Sequence, residues 1–138
     1  MRKSISLVLA LAGLLACSIA YGQGPGTTKN YDVFIPIAKY IAHGDAESLS
    51  AWFDNDLEIT VFSSSNDASR NQAKQIMKTF FDNYSPREFR IAHTASSSNM
   101  KYAIGSLNAG GETFGVTIYL NYRDDGYHIQ QIKIEQSE

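Results

Sequence analysis

His93 is the first side chain in this sequence to test for chemistry. It follows Phe89 and Ile91 at alternate positions in a strand-like run, 87–95. Strand alternation therefore places all three on one apolar face. An inward imidazole has two readings. In an open pocket it is a general base or a ligand donor. In a closed core it is a neutral ring with both nitrogens satisfied, by a backbone group or a tyrosine. Trp52 and Tyr102 join His93 as the candidate lining of a small-ligand pocket, because amphipathic rings suit such sites. No residue is assigned a catalytic role, and His93 is the alternative general base.

Other chemistries have less to build on. His43, His93 and His128 are far apart, with no two at metal-ligand spacing, so neither a metal nor a cofactor is expected. Ser63–Ser65 and Ser96–Ser98 read as loop serines without a nucleophile-elbow context. Gly110-Gly111 reads as a hairpin turn, with neither the helix nor the lysine of a phosphate loop. Among carboxylates, Asp45 reads as a helix cap and Asp56 as a turn residue. Glu58 and Glu88 alternate outward from apolar neighbours. No carboxylate is expected on an apolar strand face, which weighs against acid–base catalysis.

The N-terminus, MRKSISLVLALAGLLACSIAYGQ, has a basic start, an apolar run and small residues before Gln23. It reads as a signal peptide over residues 1–22. The alternative is a lipobox, Leu14-Leu15-Ala16-Cys17, with Cys17 lipidated. Either cut leaves a chain without a free thiol, since Cys17 is the only cysteine. The apolar run is shorter than the roughly 20 residues that span a bilayer. No later stretch is longer, so no transmembrane segment is expected. The expected location is periplasmic or extracellular, or a lipid-anchored membrane surface if Cys17 is modified.

Removing the signal peptide leaves about 116 residues, enough for one domain with its own core. The formal net charge of −2 becomes more acidic once Arg2 and Lys3 are gone. No basic cluster interleaves with aromatics, which excludes nucleic acid as an expected partner. Residues 23–30 read as a flexible leader and 31–138 as a single domain.

Several elements must position the candidate residues. Phe34, Ile37, Ala38 and Ile41 have helical spacing over 32–43, with Pro36 in the first turn and Gly44 as a left-handed stop. Asp45 caps a short second helix whose face carries Leu49, Trp52 and Phe53, and Asp54-Asn55-Asp56 stop it. Leu57, Ile59 and Val61 alternate as a strand. Ser69 and Gln72 form a capping box for a helix striped by Ala73, Ile76, Met77, Phe80 and Phe81. Four strands follow: 87–95, 100–108, 112–122 and 127–135. Their short turns predict an antiparallel meander. Phe114, Val116, Ile118, Leu120 and Tyr122 mark its inward face. Ile129 is out of phase with Ile132 and Ile134, and a bulge at Gln130-Gln131 reconciles them. Thr113, Thr117, Tyr119 and Asn121 make a sparsely charged outer face suited to pairing with a second chain.

The order helix, helix, strand, helix, four strands resembles the NTF2-like fold, an α+β cone of three helices packed on a curved, mainly antiparallel sheet. A narrower resemblance is to small exported Bacteroidetes proteins known as domain of unknown function 4783. It is carried by Phe34-Ile35-Pro36-Ile37, Gly44-Asp45-Ala46, Leu49-Ser50-Ala51-Trp52-Phe53, Gln72-Ala73, Phe80-Phe81, Phe89 with His93, and 102–107. The resemblance implies a fold and an exported setting, and no activity. The expected function is an exported, non-catalytic binding or accessory domain of the cell envelope. Its partners would be a second copy through the sheet face and an unidentified small ligand or envelope protein. The alternative is a small-molecule lyase or isomerase that uses the cone pocket.

Overall fold

A computed structural model describes residues 32–137 of the chain. The expected signal peptide over residues 1–22, the expected leader over 23–30 and Cys17 lie outside the described residues. Helix α1 spans Phe34–His43, α2 Ala46–Ser50 and α3 Arg70–Asn83. The strands are β1 (Phe53–Val61), β2 (Ser64–Ser69), β3 (Pro86–Ser97), β4 (Met100–Ala109), β5 (Glu112–Arg123) and β6 (Gly126–Gln136). They form one sheet in the order β2-β1-β6-β5-β4-β3. Every neighbouring pair is antiparallel except β1 and β6, which run parallel. The expected α+β arrangement of three helices on a mainly antiparallel sheet is present, and the last four strands form the expected meander.

Local signals explain most of the helix ends. Gly44 closes α1 with φ 67°, and its N–H donates to the Ile41 carbonyl at 3.1 Å. A Cβ at this position would lie 3.2 Å from Pro86 Cδ, so glycine also lets the end of α1 abut the start of β3. Asp45 caps α2 by accepting from the Ser48 N–H at 3.0 Å. Ser69 and Gln72 form the reciprocal capping box of α3.

The core lies between the helices and one face of the sheet. Leu107, Phe114, Ile118, Leu120, Ile129 and Ile132 are fully buried from β4, β5 and β6. Ile37 and Ile41 from α1 and Met77 from α3 close over them. The phase break in β6 is a bulge: Tyr119 pairs with Gln131 but Leu120 pairs with Ile129, which leaves Gln130 as the extra residue. All three isoleucines of β6 are buried as a result.

Four expectations need correction. First, α2 stops at Ser50, and the acidic stretch 54–56 lies inside β1 rather than ending a helix. Phe53 is completely buried as the first residue of β1, whereas Trp52 sits in the turn before it, half-buried. The anchor of this segment is therefore Leu49 with Phe53, not the tryptophan. Second, Ser63–Ser65 is no simple loop, because Ser64 begins β2, hairpinned onto β1. Only Ala68 of β2 is buried, so the strand has no apolar alternation to reveal it. Third, Tyr122 is 50% exposed, since it lies beyond Leu120, the last residue of β5 that the core covers. Fourth, His93 does not face the interior, for a reason that belongs to the site.

Two outcomes follow from this packing. Phe53→Ala should cost about 3–5 kcal/mol in denaturant melts, and Trp52→Ala only about 1–2 kcal/mol. Equal losses would mean that the tryptophan shares the anchoring. The second outcome concerns Asp45. The Ser48 backbone N–H that it accepts, more than any other contact, holds its carboxyl below the usual carboxylate range. A depressed carboxylate contributes stability that is complete above its unfolded pKa, about 3.9, and is lost as pH falls through the lower folded value. Asp45→Asn retains a capping oxygen and should flatten that acidic limb of the stability profile. A stability curve below pH 4 identical to the parent's would contradict this.

Candidate functional site

Whether the three candidate rings converge depends on how β3 pairs with β4. Ile91 pairs with Gly105 and His93 with Ile104, so Ala92 is an extra residue and β3 is bulged there. One extra residue reverses the face of every side chain after it. Phe89 and Ile91 pack against the core, while His93 is exposed on the opposite, outer face. His93 is therefore neither a core histidine nor the base of an interior pocket.

On the outer face His93 has company. Its ring centroid lies 5.9 Å from that of Tyr102, which lies 5.4 Å from that of Tyr119. Ile104, 41% exposed, sits between His93 and Thr117 in the cross-strand row. His93 and Tyr102 do come together, on the outer face of the wing of β3, β4 and β5. Trp52 does not join them: among the described residues no ring contact links it to either. Its carbonyl instead accepts from the Ile129 N–H at 2.7 Å, at the entry to β1.

The charges beside this wing are paired within the chain. Arg90 bonds Glu88 on β3, an interaction that raises the Arg90 pKa above its ordinary value. Lys133 lies 3.7 Å from Glu135 on β6. Near the β5–β6 turn, His128 bonds the Asp125 carboxylate at 2.8 Å and holds that carboxyl below the usual range.

A second polar cluster escaped the sequence reading. Asp54, expected as part of a helix stop, is instead 3% exposed within β1. Its Oδ1 accepts from the Asn55 N–H at 2.7 Å and from Arg123 at 3.0 Å, and its Oδ2 accepts from the Gln130 amide. Arg70, the first residue of α3, donates to the Phe53 carbonyl at 3.2 Å and to Asn55 Oδ1 at 3.1 Å. The cause is a mismatch of strands. Phe53 pairs with Ile129 and Glu58 with Gln131, so β1 advances five residues while β6 advances two. The surplus chain arches away, and the Asp54 network satisfies the polar groups that the arch leaves without ladder partners. With three donors already on its carboxylate, Asp54 is a clasp rather than a free base. The phase break at Gln130, visible in the sequence, was the available signal that something polar had to fill this gap.

Hollows among the described residues lie elsewhere, three of them as follows. A charged one of about 310 Å³ between the α1–α2 junction and α3 holds the pairs Lys74–Glu47 and Lys78–Asp82. An uncharged one of about 390 Å³ lies between the β1–β2 hairpin and α3, lined by Phe62, Ile76, Phe80 and Tyr84. A third, of about 450 Å³, is lined by Arg87, Glu88, Asn108 and Gly111. None of these three is lined by Trp52, His93 or Tyr102. Among the described residues no cluster of three metal-ligating side chains exists, and no helix is long and apolar enough to cross a membrane.

The model of the domain of unknown function DUF4783 matches residues 34–135. This chain belongs to the DUF4783 family. A solved DUF4783 protein from Bacteroides uniformis is 20% identical, with a TM-score of 0.75 over 78% of this chain and 99% of that one. Another, from Bacteroides ovatus, is 20% identical with a TM-score of 0.73, over 75% and 94%. A candidate dehydratase of the NTF2-like family from Streptomyces avermitilis is 11% identical, with a TM-score of 0.57 over 74% and 88%. At these identities the likeness is one of fold, and the fold is NTF2-like. No curated protein matches the chain.

For this DUF4783 domain the Asp54 clasp sets a clear expectation. Asp54→Ala removes the acceptor of three donors and should cost about 2–3 kcal/mol. Arg123→Ala should cost under about 1 kcal/mol, because the guanidinium is half-exposed and screened. The double variant should be little worse than Asp54→Ala alone. Chemical denaturation of the three variants checks this, and additive losses would show that the two residues act separately.

Proposed function

We propose that this DUF4783 chain is an exported, non-catalytic binding domain of the cell envelope that pairs with a second copy through the outer face of its sheet. One contrast carries the proposal: the inner face is filled by its own side chains, while the outer wing offers an uncharged, ring-bearing surface. On the sheet's inner face, Phe53, Ile37, Met77 and the β-strand isoleucines fill the core, and the candidate base His93 lies outside it. On the outer wing, His93, Tyr102, Ile104, Thr117 and Tyr119 form a patch without formal carboxylate or ammonium charge. Its flanking charges, Arg90 with Glu88 and Lys133 with Glu135, are already paired, so a like copy meets no net repulsion there. A sheet face with tyrosines and a central exposed isoleucine has the composition of an interface core. A two-fold axis through such a patch sets it against itself, which is the commonest way for identical chains to pair. Export rests on the signal-peptide pattern of residues 1–22.

The test is a change of mass. Ile104 is exposed, so Ile104→Lys should leave the melting temperature unchanged. In sedimentation it should lower the mass relative to the parent at micromolar concentration, by placing two ammonium groups face to face. A mass unaffected by the substitution would overturn the pairing. Fractionation of the expressing cells checks export, and a full-length chain retained in the cytoplasm would overturn that part.

A further inference from the structure

We infer that the Ala92–Ser97 half of β3 is a separate self-association edge, which pairs antiparallel with the same half of another copy. β3 is the last strand of the sheet, and among the described residues no strand pairs with its outer side. A bare edge presents a row of backbone N–H and C=O groups that a further strand can pair with. Proteins that must stay apart blunt such edges with short strands, charges, prolines or bulges.

The sheet's other edge and the first half of β3 carry those devices. β2 is six residues long, bears Asp67, and runs directly into α3. β3 starts at Pro86 and continues through Arg87, Glu88 and Arg90 to the bulge at Ala92. The core covers the same half, through Phe89 and Ile91. From the bulge onward no charge, proline or core contact protects the edge. Ala92-His93-Thr94-Ala95-Ser96-Ser97 contains no Lys, Arg, Asp, Glu, Pro or Gly, and all six residues are exposed. Regular pairing with β4 nevertheless continues to Ser97–Met100, so the segment is a formed strand and ready to template another.

The occupant follows from the segment itself. With a two-fold axis through Ala95, Ala95 faces its own counterpart, Thr94 faces Ser96 of the second copy, and His93 faces Ser97. No like charges meet, and no two bulky groups oppose each other. Small side chains meet hydroxyls and an imidazole, all compatible with close strand approach. The axis of an antiparallel strand pair stands normal to the sheet, whereas face-to-face pairing has its axis between the sheets. The two contacts therefore use different surfaces, and they can coexist in one assembly of four chains.

The experiment uses the edge and the outer face as independent switches. The Ile104→Lys chain, with its face blocked, should still sediment as a pair through the edge. Adding Thr94→Lys and Ala95→Lys should reduce it to a single chain, because the lysines at 95 then face each other across the axis and those at 94 crowd beside it. The counterpart with Thr94→Glu and Ala95→Glu should also be single, and an equimolar mixture of the two should recover the mass of a pair. On the parent, amide hydrogen exchange over Ala92–Ser97 should slow as protein concentration is raised. The inference falls if the Ile104→Lys chain is single at every concentration, if the lysines leave its mass unchanged, or if the parent amides exchange at one rate throughout. Loss of the face contact alone would appear differently, as a parent whose mass Ile104→Lys does not alter.

Discussion

Within the sheet, β1 and β2 are joined to the meander through one parallel ladder, β1 on β6. The two strands differ in length between their matching points, Phe53–Ile129 and Glu58–Gln131. Two devices absorb that mismatch. The bulge at Gln130 restores the phase of the β6 isoleucines, and the Asp54 clasp holds the arch of β1 that results. A buried carboxylate is expensive unless donors surround it. Here they come from three separate parts of the chain: Asn55 beside it, Arg123 at the end of β5, and Gln130 in the bulge itself. The clasp thus fastens β1 to both strands of the β5–β6 hairpin, while Arg70 fastens the same arch to the start of α3.

The second bulge, at Ala92, has the opposite effect on the surface. Gln130 lets apolar residues keep facing the core, whereas Ala92 moves the rest of β3 away from it. Without that single extra residue His93 would face the core with Ile91. With it, His93 stands beside Tyr102 and Ile104 on the wing. The wing and the edge owe their character to this step. The strand continues past the region that the helices cover, and its side chains remain small and uncharged where a solvated strand would ordinarily carry lysines or glutamates.

The elements readable in the sequence were those whose causes are local. Gly44 and Asp45 mark a helix stop and a helix cap within two residues, and Ser69 with Gln72 marks another start. The meander followed from apolar alternation interrupted by turn residues, and the Gln130 bulge from a break in that alternation. The features that did not read from the sequence depend on partners distant in the chain. Asp54 looks like a helix stop until β6 lies beside it. The buried face of β2 contains only Ala68, so its pairing with β1 carries no periodic signal. For His93 the alternation was sound up to Ile91, and only the pairing with β4 reveals the additional residue. Of the three proposed pocket residues, His93 and Tyr102 are adjacent, but on a surface rather than in a pocket.

The parallel ladder also governs the order in which this domain can be assembled. β1 begins at Phe53, and its partner β6 ends at Gln136, so the pairing closes most of the domain's length. Loop closure of that span carries an entropic cost before any contact is gained, and such non-local pairing slows folding. A chain made from its N-terminus contains β1 and β2 for some time before β6 exists. During that interval one side of β1 has no strand to pair with. The surplus residues of the arch and the charges of Asp54 and Asp56 interrupt that side, making it a poor template for a stray strand. The feature that completes the sheet in the finished protein thereby shields the unfinished one from premature pairing.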